Sequence, residues 1–414
     1  MTEIRSFLLE NTIQHYEWGT RGAEAFIPNF LGFTAEPDRP YAELWIGAHP
    51  SAPSRVRKNS ERLVLPDFIS QAPVEILGRS AAEQFSSELP FLLKVLSAGA
   101  PLSIQAHPDR LQARELHARD AAHYPDSNHK PEIAVALTHL TALAGFKPFD
   151  ELLATLGRYP SIARLAGDDH AARLLSLARE EGTDRELRTR ERRQALKAFF
   201  SALMRRALTH TAELEASIMA IEETMRRTSD ASEEAAVFLN ARSIYGCDVG
   251  LISMLLLNLV HLKKGEGIFL GPGIPHAYLE GAIVECMANS DNVVRAGLTP
   301  KFKDVETLCT ILTYDCGRPV IMPPVPGAGV TVYPAPVEEF VLSRALMTES
   351  DTFVRDARRT LEIMLVVDGS VSVTQDTGRQ LFSRGDAVLI PAVVARYELA
   401  AHTDAELFFA SIPI

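Results

Sequence analysis

The chain has 414 residues, 46% hydrophobic and 23% charged, a soluble globular composition too long for one ordinary core and sufficient for two or three domains. Its 42 Lys and Arg against 53 Asp and Glu give a net charge of −11, which argues against a nucleic-acid partner; an anionic small molecule would need a locally basic pocket. Cys247, Cys286, Cys309 and Cys316 contain no C-x-x-C pair and read as reduced thiols. The start lacks a basic stretch followed by an apolar one, so no signal peptide is expected. The longest apolar run, Leu251 to Leu262, is too short to span a bilayer. A cytoplasmic protein without a membrane partner is the expected class.

Up to about Lys147, short apolar runs punctuated by Gly and Pro predict strands and turns, with a local helix at RLQARELHARDAAH. From Phe149 to about Thr228 the apolar residues fall at helical spacing, as in ARLLSLAREEG and RRQALKAFFSALMRR, and SEEAAVFLNARSI continues the pattern. Within it, Arg188 to Gln194 reads as a solvated face. Strand character returns near Leu259, with LLLNLV as core. The Pro-rich stretch GRPVIMPPVPGAGVTVYPAP marks a junction, beyond which LEIMLVVDGSVSVTQ and RGDAVLIPAVVARYEL predict an all-β module.

KKGEGIFLGPGIPHAY (Lys263 to Tyr278) echoes SRGDAVLIPAVVARYE (Ser383 to Glu398). Superposing Gly265 on Gly385 places His276 on Arg396. Each copy has the form of the second half of a cupin-type barrel. The expected fold is therefore mainly β, with two cupin-like (jelly-roll) β-barrels and an all-α insertion. Residues 1–147 and 259–320 form the first barrel, 148–258 the helical insertion and 321–414 a second barrel lacking a metal-capable residue at Arg396.

In LSIQAHPD, strand alternation turns Gln105 and His107 to one face, half of a metal site; the bland reading is a polar sheet edge. In NHKPE, Pro131 biases Lys130 towards extended backbone, and Glu132 enters an apolar run where a carboxylate needs a cation or hydrogen bonds. His276 follows a tight Gly/Pro turn at the lip of a strand. Alone, Glu132 reads as salt-bridged and His276 as structural. Together with Gln105 and His107 they make a two-nitrogen, two-oxygen set suited to one zinc in an open site, which keeps Lewis acidity because only one ligand is anionic. Glu285 in IVECM is expected near the same cavity, or as a partner of Arg295. Lys94 is embedded in the apolar run FLLKVL, unusual unless paired or functional. Lys94, Ser103, Lys130, Arg295 and Lys301, with Asp291 nearby, suggest a basic pocket for a phosphorylated substrate.

At these motifs the chain closely resembles the type I mannose-6-phosphate isomerases: QHYEWG, ELWIGAHPSAPS, YPDSNHKPE and HAYLEGAIVECMANSDNVVRAGLTPK all match, over most of Asn11 to Leu308. The resemblance implies a zinc enzyme of carbohydrate metabolism that interconverts mannose 6-phosphate and fructose 6-phosphate, in mannose breakdown or GDP-mannose biosynthesis. By position it implies Gln105, His107, Glu132 and His276 as zinc ligands and Arg295 as an active-site arginine. The expected mechanism is proton transfer through a cis-enediol(ate), with Glu285 or Lys130 as base and His129 assisting ring opening. An iron-dependent cupin oxygenase would prefer an H-x-H pair, which Gln105 breaks. A non-catalytic sugar-phosphate-binding cupin predicts a degraded ligand set. A monomer or weak homo-oligomer is expected.

Overall fold

The protein is described here by a computed structural model covering residues 6–58, 61–179, 185–324, 329–356 and 359–413. The end of ARLLSLAREEG, the centre of the Pro-rich junction and the first five residues lie outside the described residues. Helix and strand hold near-equal shares, so the expectation of a mainly β chain is corrected to a mixed one. Part of the difference lies in the first segment, where Phe26–Leu31, Leu65–Gln71, Pro73–Leu77 and Arg79–Gln84 are helices. Pro66 and Pro73 fall at the second and first positions of their helices, in the first turn, where proline's missing N–H forfeits no intrahelical bond. Arg110–Arg119 is the predicted local helix, capped by a reciprocal Asp109–Gln112 box.

The predicted helical stretch is realised as Phe149–Arg158, Pro160–Ala166, Asp168–Arg179, Arg185–Thr209, Thr211–Arg227, Glu233–Tyr245 and Gly250–Leu256. The apolar run from Leu251 changes state partway, ending one helix at Leu256 and opening the strand Leu257–Leu262. Asn258 fixes this change. Fully buried, its side-chain amide donates to the carbonyls of Ala144, Phe146 and Gly317 at 2.8–3.0 Å. The helices do not stand apart from the sheets: one hydrophobic cluster joins Phe199, Leu251 and Ile252 to Ile104, Val294 and Leu298.

All sheet pairings described are antiparallel. An eleven-stranded sheet carries the strands of the predicted metal motifs, and a four-stranded sheet is built from C-terminal strands. The eight-stranded sheet mixes chain ends: Phe7–Glu10 pairs with Ala387–Ile390, and Arg55–Lys58 continues from it. The sequence echo has a backbone counterpart. Gly265 and Gly385 adopt φ of +86° and +92°. Glu266 N donates to Lys263 O and Asp386 N to Ser383 O, each at 2.9 Å. The acidic side chains close both turns at 2.8 Å onto the amides of Lys263 and Ser383.

Because Asn258 serves several buried carbonyls, Asn258→Ala is expected to lose about 1–3 kcal/mol of stability, read by urea denaturation.

Candidate active site

Three strands set the polar centre. Ile104–Ala106 lies between His276–Ala288 and Val294–Gly297, pairing Gln105 with His276 on one side and with Arg295 on the other. Directly paired residues share a sheet face, so these three side chains start from one surface. Glu132, first residue of Glu132–Ala136, pairs with Leu270 and Met287. Farther along, Glu285 pairs with Lys94, which in turn pairs with Trp45.

His107, Glu132 and His276 are buried, with ligand atoms all within 4.8 Å of one another. His107 Nδ1–H donates to the Asn292 carbonyl at 2.8 Å, and His276 Nδ1–H to the Ile274 carbonyl at 2.9 Å. Both anchors leave Nε2 as a lone pair, 3.4 Å and 3.3 Å from the two Glu132 oxygens. These Nε2 atoms and Glu132 Oε2 have no hydrogen-bond partner. Burial pushes the His107 imidazole down to about 4, so it stays neutral. Burial alone would raise Glu132, but Lys130, with Nζ 3.1 Å from Oε1, and His107 hold it well below the usual carboxylate range. Two imidazole Nε2 atoms and a carboxylate oxygen, buried together without hydrogen-bond partners, fit a divalent cation.

Beside them opens a cavity of about 1060 Å³, lined by Gln105, Lys130, Glu132, Glu285, Ser103, Asp291, Arg295 and Lys301 among others. Five Lys and Arg side chains face it, and their pairing separates them. Lys94 lies 3.2 Å from Glu285 and 3.6 Å from Glu43; burial works against its charge, but these carboxylates hold the ammonium well above the usual lysine range. Lys130 is paired to Glu132 and Lys303 to Asp248. Among the described residues, Arg295 and Lys301 have no anionic partner. Burial lowers both, and the neighbouring Arg295 lowers Lys301 further. Burial, then Glu132, holds Glu285 above the usual carboxylate range, with Tyr278 Oη donating to its Oε1 at 3.0 Å.

Lys94 is paired with two carboxylates, one of the two readings its sequence context left open. Glu285 lines the cavity as expected and pairs with Lys94, which displaces the alternative of a pair with Arg295. His129 is absent from the cavity lining: its Nε2 lies 2.7 Å from Glu339 Oε1, a carboxylate that Arg110 also meets. Ser103 and Asp291 do line the cavity, Asp291 with His49 Nε2 at 3.4 Å.

Sequence reasoning missed Glu43, Asp248 and Asn292. Alternation in ELW puts Glu43 and Trp45 on one face, a signal that was available. Asn292 ties the two loops of the site together. Its carbonyl anchors His107, while its side-chain amide donates to the backbone oxygens of Asp126 and Asn128 at 2.8 and 2.9 Å.

Residues 6–149 match the phosphomannose isomerase type I catalytic domain. The chain is 36% identical over 409 residues to mannose-6-phosphate isomerase from Bos taurus, covering 95% of each chain. Against the enzyme of that name from Ogataea parapolymorpha it is 39% identical, over 86% of this chain and 85% of that one. In structure it is similar to a phosphomannose isomerase variant from Salmonella typhimurium, with TM-score 0.82 and 29% identity over 99% of this chain and all of that one. A mannose 6-phosphate isomerase bound with zinc and yttrium gives TM-score 0.81, at the same identity and coverage.

Asn292→Ala should leave the ligand set intact yet loosen His107, weakening divalent-metal affinity by about tenfold in a competition titration.

Proposed function

The chain belongs to the type I phosphomannose isomerases, and from that premise we propose how its cavity interconverts mannose 6-phosphate and fructose 6-phosphate. The observation that carries the reading is the meeting of two imidazole lone pairs and a carboxylate, beside a cavity whose unpaired cations suit a phosphosugar. Zinc is the cofactor, one per chain, held by His107, Glu132 and His276 with Gln105 as the fourth ligand. Bound there, it supplies Lewis acidity that favours negative charge growing on a substrate oxygen.

The remaining roles fall to the chain's own side chains. Glu285 is the base: its carboxylate takes the proton from C2 of the open-chain aldose and returns it at C1 through a cis-enediol(ate), while the O2 hydroxyl proton passes to O1. Its raised proton affinity, caused by burial, suits a group that must both accept and donate. Tyr278 and Lys94 hold one carboxylate oxygen each. Lys130 stays beside Glu132, within reach of the sugar oxygens. Arg295 stabilises the enediolate charge, and Lys301 with Arg295 receives the phosphate. Ser103 and Asp291 offer hydrogen bonds to the sugar. His129, engaged by Glu339, positions the 128–132 loop rather than moving a proton.

At the level of architecture, the two repeated turns support two cupin-like jelly-roll barrels flanking an all-α insertion at 148–258. The first draws on 1–147 and 259–320 and the second on 321–414, with strands near Phe7 and Arg55 added to the second sheet. Exposed Arg396 stands where His276 stands in the first barrel, which fits a single metal site. Among the described residues no helix is long and apolar enough to cross a membrane. A cytoplasmic enzyme, monomeric or weakly self-associating and without nucleic-acid partners, is the setting this reading assigns.

Mannose 6-phosphate mixed with the zinc-loaded protein is expected to yield the ketose, and prior chelation to abolish conversion. No conversion with zinc present would favour the non-catalytic sugar-binding alternative. In Glu285→Gln, C2-deuterium exchange of mannose 6-phosphate should fall by about 10²–10⁴-fold; wild-type exchange removes Glu285 as base.

A further inference from the structure

Asp248 stands in the turn between the helices Glu233–Tyr245 and Gly250–Leu256, in the helical segment rather than among the metal-site strands. It is buried at 9% exposure, yet it lines the cavity. Its Oδ1 accepts the backbone N–H of Leu298 at 2.7 Å and that of Gly250 at 2.7 Å. Its Oδ2 meets Lys303 Nζ at 2.9 Å, and Lys303 also donates to the Thr299 carbonyl at 3.1 Å. Thr299 Oγ1 in turn accepts from the Lys301 amide at 3.1 Å.

The loop needs such a tie. Leu298 is held at φ +53°, a left-handed conformation that a bulky branched side chain adopts only when its surroundings impose it. A β-carbon added to Gly297 would lie 2.4 Å from Gly250 backbone, and one added to Gly250 would lie 2.4 Å from the Leu298 nitrogen. The two backbones therefore cross at contact distance, and the Asp248 carboxylate bridges the crossing. Arg295 and Lys301, the cavity cations without an anionic partner, sit on either side of this point.

We propose that Asp248 is the positioning residue of the phosphate-binding loop. From the helical segment it fixes the backbone between Arg295 and Lys303, and so the placement of the two free cations. It also engages the Lys303 ammonium as a strut that braces Thr299. The inference rests on the reading that Arg295 and Lys301 receive the substrate phosphate.

The test uses the zinc-loaded full chain and its Asp248→Ala, Asp248→Asn and Lys301→Met variants. Measured are kcat and KM for mannose 6-phosphate, competitive inhibition by inorganic phosphate, zinc content and melting temperature. Asp248→Ala is expected to raise KM and the phosphate inhibition constant by about tenfold with zinc content unchanged, and to lower kcat as well because Arg295 is displaced from the enediolate. Asp248→Asn keeps an oxygen for the Leu298 and Gly250 amides and should recover both constants to within about threefold of wild type. A lower melting temperature with unchanged KM and phosphate inhibition means a structural role only, and overturns the proposal. Wild-type constants in Lys301→Met would sink the phosphate reading itself. A shift in Lys301→Met alone, with both Asp248 variants at wild type, sinks only the positioning role. If Asp248→Ala does not fold, Lys303→Met is expected to raise the same constants about threefold with zinc content unchanged. Wild-type constants in Lys303→Met then count against it.

Discussion

Two imidazole lone pairs and an ionised carboxylate aimed at one point inside a sheet repel one another unless a cation joins them. Leaving a buried carboxylate unpaired costs several kcal/mol, and Lys130 reaches only one oxygen of Glu132. The fold nevertheless presents the three groups without protons between them. It does so by spending each histidine's Nδ1–H on a backbone carbonyl, Asn292 for His107 and Ile274 for His276. Those carbonyls belong to two loops that both meet at His107: one is held by the Asn292 amide, and the other is the turn whose Gly273 amide donates to the His107 carbonyl at 2.9 Å. The three groups are therefore fixed in an arrangement that a metal would complete, and the rest of the molecule is arranged around that constraint.

Sheet register carries the constraint outward. Gln105 faces His276 across one pairing and Arg295 across the next, so a one-residue slip of Ile104–Ala106 would turn Gln105 away from both. The strand His276–Ala288 runs from His276 of the metal-competent cluster to Glu285 in the cavity, and its pairing with Phe91–Ala98 sets Glu285 against Lys94. The helical segment resists such a slip because its apolar residues share a core with Ile104, Val294 and Leu298. What the sequence presents as an insertion is, in packing terms, the backing of the site.

This explains which parts were legible. The residues proposed as ligands could be read because each carries a local signature: alternation for Gln105 and His107, a proline before Glu132, a tight turn before His276. The echo between Gly265 and Gly385 could be read because a turn closed by its own acidic side chain needs few residues to specify it. Partners distant in the chain left no such mark. Nothing near Lys94 announces that Glu43 and Glu285 neutralise it, and nothing near His129 announces Glu339. The short helices near Pro66 and Pro73 were misread for a related reason, since a proline that starts a helix and one that ends a strand look alike without their surroundings.

The same long-range pairing resolves how an acidic chain recruits an anion. Five cationic side chains face the cavity, but Lys94, Lys130 and Lys303 are held by carboxylates. Total basic charge is therefore a poor guide to the binding surface; what matters is the charge left without an anionic partner among the described residues. Arg295 and Lys301 are that remainder, partly buried, and Arg295 depresses the proton affinity of Lys301. On the reading proposed above, an incoming phosphate would relieve both the burial cost and the mutual repulsion of the pair. Holding two like charges in this way requires a stiff loop, and a left-handed Leu298 bridged by a buried carboxylate supplies one.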